Sequence, residues 1–344
     1  MTGTAAGFEQ LSTRSQVHRL RGTALTALAQ YPLRVDRLRL LHHGYNTTFR
    51  VDTTDGRRFS LRLNVNSRRS MANISAEMAW LAALARDTDL RVPSPQRTLE
   101  GELMTRVFSP DLHRHLSAAL FAWLPGRNLD EFGNAITATQ MHAVGRAAAT
   151  MHTHSESWEL PSGAELPVID HTLMDTPNVL GRDHELLTDE RRRIIDAAFA
   201  ETQLRHDEVF AGSRPQVLHA DLHTANVKWC RGRLAVFDFD DSGIGMPMQD
   251  LAMSAYYLRP RADREAAMLE GYTQLRPLPV FTAEQYEAMV ASRSLVLLNE
   301  VLTITTADIR AMLPYFIPDT VAKLRSYLDT GVFRHDIEGL ISGA

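Results

Sequence analysis

His219-Ala220-Asp221-Leu222-His223-Thr224-Ala225-Asn226, followed a short way on by Asp238-Phe239-Asp240-Asp241, is the stretch of the 344-residue chain whose reading decides the fold. Between the two segments, Val227-Lys228-Trp229 and Leu234-Ala235-Val236-Phe237 are strand-like runs on either side of Cys230-Arg231-Gly232-Arg233. A Gly-containing tight turn folds such runs into a hairpin. Paired strands lie about 5 Å apart, so the hairpin brings Asn226 at its entry and Asp238 at its exit to the same end. An amide oxygen and a carboxylate then converge on one spot.

Mg²⁺ requires hard oxygen ligands in small number, with room left for phosphate oxygens and water. Asn226 and Asp238 fit that requirement. Asp221 lies five residues before Asn226, on a loop entered from the apolar run Gln216-Val217-Leu218. From there its carboxylate can orient an attacking hydroxyl and accept its proton. The spacing H-x-D-x-x-x-x-N is that of the protein-kinase catalytic loop, with Ala220 in place of the kinase Arg, and Asp238 stands where a kinase has its metal-binding Asp. His219, Asp221 and His223 taken alone also suit a hydrolytic metal site, and that alternative stays open at this point.

His223 and the downstream Gly245-Met246-Pro247-Met248-Gln249-Asp250-Leu251-Ala252 narrow the match. Together these residues resemble the aminoglycoside phosphotransferase and homoserine-kinase-like family, and Asp238 to Leu251 is most similar to its stress-response Ser/Thr kinase branch. The resemblance implies an α+β, two-lobed protein-kinase-like fold with a small antiparallel-sheet N-lobe and a mainly helical C-lobe, ATP being bound between them. It implies that His219 supports the catalytic loop, that Asp221 is the base, that Asn226 and Asp238 bind metal, and that Asp250 buttresses the site. Ala220 and Ala225 replace glycines common in the family. Ala reaches most of the same backbone space unless φ is positive. The specific motifs span roughly residues 218–252.

The N-terminal part fits the same reading. Residues 38–43, 48–52 and 58–63 are strand-like, with turns at Gly44-Tyr45-Asn46-Thr47 and Thr53-Thr54-Asp55-Gly56. The first turn places backbone amides of Gly44, Asn46 and Thr47 over a nucleotide's phosphates. Arg62 occupies the third-strand position where protein kinases carry a phosphate-contacting Lys, and its guanidinium can grip phosphate with a fork of donors. A helix over 73–86 sets Glu77 on one face with Leu81 and Leu84, pointing inward toward Arg62. Strands near 103–107 and 118–124 complete the sheet, and Pro125-Gly126 stops the last of them at a hinge. There the resemblance assigns Ala122, Trp123 and Leu124 to the adenine. Beyond the hinge the apolar period changes to about 3.6, with helices expected over 137–152, 191–210, 251–258, 262–275, 283–308 and 319–328. The expected division is 1–120 and 121–344.

Composition agrees. At 44% hydrophobic the chain can furnish two cores. A net charge of −4 without long Lys or Arg runs argues against nucleic acid as a partner. Cys230 is the single cysteine, which excludes an intrachain disulfide. With no signal-peptide pattern and no apolar run of membrane-spanning length, a cytoplasmic protein without membrane contacts is expected. The expected reaction is ATP- and Mg²⁺-dependent transfer of a phosphoryl group to a small-molecule hydroxyl acceptor, such as an amino alcohol. The irregular 158–182 segment, with Asp170, His171 and Asp175, and Asn299 and Glu300 are candidate acceptor contacts. A protein Ser/Thr kinase and a catalytically silent nucleotide-binding regulator of the same fold are the alternatives.

Overall fold

The computed structural model describes residues 8, 11–212, 214–303 and 307–337. The described residues up to Pro125, with 160–165, pack as one compact unit, and those of 126–159 and from Leu166 onward as a second. The boundary falls a few residues beyond 120 because the last strand of the sheet runs on to Ala122, which pairs with Phe59.

The first unit opens with α1 (Thr13–Leu28) and continues with β1 (Val35–His43), β2 (Thr47–Thr53), β3 (Arg58–Leu63), α2 (Met71–Asp87), β4 (Thr105–Ser109) and β5 (Arg114–Ala122). The strands form one antiparallel sheet in the order β1-β2-β3-β5-β4. In β2 the alternation is strict: Thr47, Phe49, Val51 and Thr53 are buried and the residues between them are not. α1 was absent from the expected elements. Ser12 caps it by accepting from the Ser15 amide, but its buried face is built largely from Ala24, Ala27 and Thr23, small residues that leave a faint periodicity. That face and the sheet enclose a core including Leu20, Phe49, Leu61 and Leu116.

The second unit contains β6 (Arg127–Asn128), α3 (Ala138–Ser155), α4 (Asp189–Gly212), β7 (Gln216–Leu218), β8 (Val227–Cys230), β9 (Arg233–Val236), β10 (Gly243–Gly245), α5 (Pro247–Leu258), α6 (Ala262–Thr273), α7 (Ala283–Val301) and α8 (Ala307–Thr330). α7 ends at Val301, short of the expected 308, and 304–306 lie outside the described residues. α3 and α6 cross at glycines. A Cβ on Gly145 would meet the Met268 carbonyl at 1.9 Å, and one on Gly271 the His142 carbonyl at 2.2 Å. No other residue permits that approach, which sets His152 of α3 beside Tyr272 of α6. No helix among the described residues is long and apolar enough to cross a membrane.

Candidate active site

The hairpin forms as the sequence requires. β8 pairs with β9 from Val227↔Val236 to Cys230↔Arg233. Arg231 and Gly232 at its tip both have positive φ (51° and 75°), the requirement of the tight turn that matches strand twist. At the open end the Phe237 amide donates to the Asn226 carbonyl (3.0 Å), which puts Asp238 one residue beyond Asn226's partner.

Asp221 sits on the loop between β7 and β8, its side chain 17% exposed. Arg293 Nη2 donates to its Oδ1 (2.9 Å) and Asn226 Nδ2 to its Oδ2 (2.8 Å), while His223 Nε2 lies 3.3 Å from Oδ2. Burial alone would raise its pKa. His223 and Arg293 outweigh that and hold the carboxyl below its usual range, so it is ionised at neutral pH. Arg293 also donates to the Tyr257 hydroxyl, and Tyr257 stacks on the His223 ring with centroids 4.5 Å apart. Asp221, His223, Tyr257 and Arg293 thus close a ring of contacts. Because Asn226 spends its amide nitrogen on Asp221, its oxygen is the atom turned toward other ligands. That oxygen and the Asp238 carboxylate are both hard donors, of the kind that suits a cation keeping phosphate and water ligands.

Beneath the loop, Asp250 near the start of α5 is fully buried. Its Oδ2 accepts from the His219 amide (3.1 Å) and from His152 Nε2 (3.0 Å), and its Oδ1 from the Ala220 amide (2.7 Å). Burial pushes its pKa up, and His152, His219 and the Ala220 amide more than reverse the effect. The His219 ring accepts from the Asp221 amide at Nδ1 (3.3 Å) and donates from Nε2 to the Phe237 carbonyl (3.0 Å). Burial keeps it neutral, consistent with that single tautomer. With both nitrogens engaged in fixing the loop to the hairpin, His219 has no lone pair for a metal, and the hydrolytic reading loses a ligand. Ala220 has φ +66°, so the substitution of the family's glycine carries a left-handed backbone cost after all.

In the first unit, Arg62 makes a fork to Glu77, with Nη1 to Oε1 at 2.8 Å and Nη2 to Oε2 at 2.5 Å, both side chains being buried. The guanidinium lies over the Phe121 ring. Gly44 closes its turn by donating its amide N–H to the Asn46 carbonyl (2.9 Å), and Asn66 donates to the carbonyls of Tyr45 and Gly44. Thr47 is fully buried with its hydroxyl 2.8 Å from His43 Nδ1. The Ala122 amide donates to the Ser94 carbonyl (2.9 Å). Of the three hinge residues expected at the adenine, Ala122 thus has its N–H already paired. Trp123 also receives Arg50 over its ring.

Several site-building residues were not picked out from the sequence: His152, Tyr257, Tyr272 and Arg293. The signal was present for Arg293, a cation at the i+4 position from Met289 inside an otherwise apolar helical stripe. Asn299 is not an acceptor contact. It holds the 158–182 segment in place, its Oδ1 accepting from the Val179 amide and its Nδ2 donating to the Pro177 carbonyl and the Thr176 hydroxyl.

A kinase-type loop, a hairpin running from Asn226 to Asp238 and an antiparallel sheet bearing an Arg–Glu pair define a phosphotransferase of protein-kinase-like fold. Residues 37–281 match the model of the phosphotransferase enzyme family, and the chain belongs to that family. It is 26% identical over 231 residues to amicoumacin kinase of Bacillus subtilis (strain 168), a match covering 67% of this chain and 66% of that relative. A microcompartment-associated aminopropanol kinase superposes with a TM-score of 0.78 at 25% identity, covering 92% of this chain and 100% of the other. An amicoumacin kinase, hAmiN, solved in complex with AMP-PNP, Ca²⁺ and Ami, shares the fold, with a TM-score of 0.68, 18% identity and coverage of 90% and 96%.

Proposed function

We propose that this protein transfers the γ-phosphoryl group of ATP, bound with Mg²⁺, to a hydroxyl of a small-molecule acceptor, with Asp221 orienting that hydroxyl and taking its proton. The acceptor oxygen forms a bond to the γ-phosphorus as the bond to the β-bridging oxygen breaks, and ADP leaves. The observation that carries the reading is the state of Asp221: an ionised, partly exposed carboxylate whose two oxygens are each fixed by a side chain. Such a group aligns a nucleophile without reorganising, and alignment with charge neutralisation is what this chemistry needs. Asn226 and Asp238 are the proposed metal-holding pair. Mg²⁺ there would neutralise the phosphate oxygens. Arg62, fixed by Glu77, and the 44–47 turn are proposed to serve the phosphates, and Trp123 and Leu124 the adenine. The likeness to an aminopropanol kinase and to amicoumacin kinase supports a hydroxylated small molecule over a protein side chain.

The test is phosphate transfer from γ-labelled ATP with Mg²⁺ to pooled amino alcohols, aminoglycosides, sugars and a generic protein, with Asp221→Asn assayed beside the parent. A labelled small-molecule product is expected, and the variant should lose about 10²- to 10⁴-fold in turnover while Mg-ATP binding persists. Label in the protein substrate alone, or full turnover by the variant, would overturn the reading.

A further inference from the structure

His206 of α4 is a histidine on an apolar stripe, in line with Ile195, Ala198, Thr202 and Val209. Its side chain is 3% exposed, and neither ring nitrogen has a hydrogen-bond partner among the described residues. It faces a partly open cavity of about 30 Å³ in the second unit, whose polar lining is completed by Thr172, Gln249, Ser292 and Arg293. Arg293, whose guanidinium grips Asp221, is one of the residues lining this cavity, and Ala220, next to Asp221 in the chain, is another.

The hydrogen-bond directions around the cavity select the occupant. Thr202 gives its hydroxyl hydrogen to the Ala198 carbonyl (2.9 Å), so in the 3.0 Å contact between the two threonines Thr172 is the donor. Ser292 gives its hydrogen to the Met289 carbonyl (2.7 Å). Toward an occupant, both hydroxyl oxygens can therefore act only as acceptors. The Gln249 amide is engaged with the Met246 amide and the Ile169 carbonyl. His206, pushed down to about 3 by burial, is a neutral ring that presents one donor and one acceptor. A carboxylate only accepts: it can meet the His206 N–H but has no hydrogen for the Thr172 and Ser292 oxygens, and Arg293, the cation in the lining, is already paired with Asp221. An ammonium only donates, and it would meet Arg293 with no carboxylate in the lining. A hydroxyl both donates and accepts and carries no charge. The volume admits roughly one or two non-hydrogen atoms, the end of a molecule rather than a whole one.

We infer that this cavity seats a second, non-reacting hydroxyl of the acceptor against His206, so that the preferred acceptor is a diol or higher polyol with its reacting hydroxyl at Asp221. The inference rests on the phosphotransferase reading above and narrows it. An ammonium group on the acceptor, if there is one, lies outside this cavity.

The test uses the full chain with Mg²⁺ and γ-labelled ATP, and acceptor pairs that differ by one hydroxyl: 1-amino-2-propanol against 3-amino-1,2-propanediol, and sugars against their deoxy forms. The expected result is a preference in kcat/KM of at least about tenfold for the richer member of a pair, since a buried polar site discriminates strongly against a missing partner. His206→Leu should erase the preference, mainly through KM of the richer acceptor, and His206→Gln, which keeps a donor and an acceptor, should restore part of it. A wild-type titration of the His206 imidazole nitrogens by NMR provides a check that needs no variant to fold: the richer acceptor should shift them saturably. Turnover with no preference, a preference that survives His206→Leu, or imidazole signals indifferent to the polyol would reduce the cavity to a buried-water site and overturn the inference, leaving the phosphotransferase reading intact. Absence of label in every acceptor would instead sink that reading, and this inference with it.

Discussion

The loop that follows β7 is held by two carboxylates that the fold treats in opposite ways. Asp250 is sealed, and two of its three donors are main-chain amides of the loop itself. Asp221 keeps 17% of its side chain exposed, and its partners are the side chains of Arg293, Asn226 and His223. A carboxylate that binds backbone fixes where the chain runs. One that is held by side chains and stays partly exposed keeps an edge open to a substrate. Asp250 should therefore register in stability, and Asp221 in turnover.

The largest expected effect tests that division directly. Asp250→Ala strands the His219 and Ala220 amides and the buried His152, and it should cost about 3–5 kcal/mol, the range for breaking a buried hydrogen-bonded charge. Urea denaturation followed by circular dichroism measures it. A loss below about 1 kcal/mol would mean that the loop is held by something other than Asp250, and the contrast with Asp221 would collapse.

Next comes the support beneath Asp250. His152 reaches the carboxylate from α3 with its other nitrogen 3.0 Å from the Tyr272 hydroxyl of α6, and the two helices meet at Gly145 and Gly271. Gly145→Ala places a methyl group where backbone already stands. It should cost about 1–3 kcal/mol by overpacking and, by tilting His152, lower turnover as well. Equal stability loss with unchanged kinetics would show that the helix crossing holds the fold without setting the loop.

A smaller and subtler effect is expected at Arg293. Asp221 has its folded pKa depressed, so the stability it contributes is present above the unfolded carboxyl value and is lost as pH falls through the folded one. Arg293→Gln removes one cause of the depression and leaves burial less opposed. The acid limb of kcat/KM should then move to higher pH, and the acid-side stability from Asp221 should shrink. A pH–rate profile with its acid limb unmoved would mean that His223 alone sets the ionisation of Asp221.

These contrasts also mark what the sequence made legible. The hairpin, the positions of Asn226 and Asp238, the Arg62–Glu77 pairing and the order of helices are consequences of local spacing, and local spacing is written in the chain. Arg293 reaches Asp221 from 72 residues away, and His152 reaches Asp250 from 98 residues away. Only tertiary packing creates those contacts, and periodicity marks such residues merely as polar groups on apolar faces. Thr47 shows the local rule at work: the two-residue alternation of β2 sends its side chain into the core.

The smallest effect probes the one residue that touches both carboxylates' surroundings through its backbone. Ala220 donates to Asp250 at 2.7 Å, precedes Asp221 directly and holds φ at +66°. Ala220→Gly relieves about 1–2 kcal/mol of left-handed strain. Against that, it adds about 0.4–1 kcal/mol of unfolded-state freedom and removes a buried methyl worth about 0.8 kcal/mol, one that packs with Ile169 and Leu218. The terms nearly cancel, so stability should change by less than about 1 kcal/mol in thermal denaturation, with turnover preserved. Ala220→Val keeps the apolar contact but adds β-branching at positive φ, and it should lose both stability and activity. If Gly were the more damaging of the two, packing of the 220 side chain rather than the backbone turn would be what places Asp221.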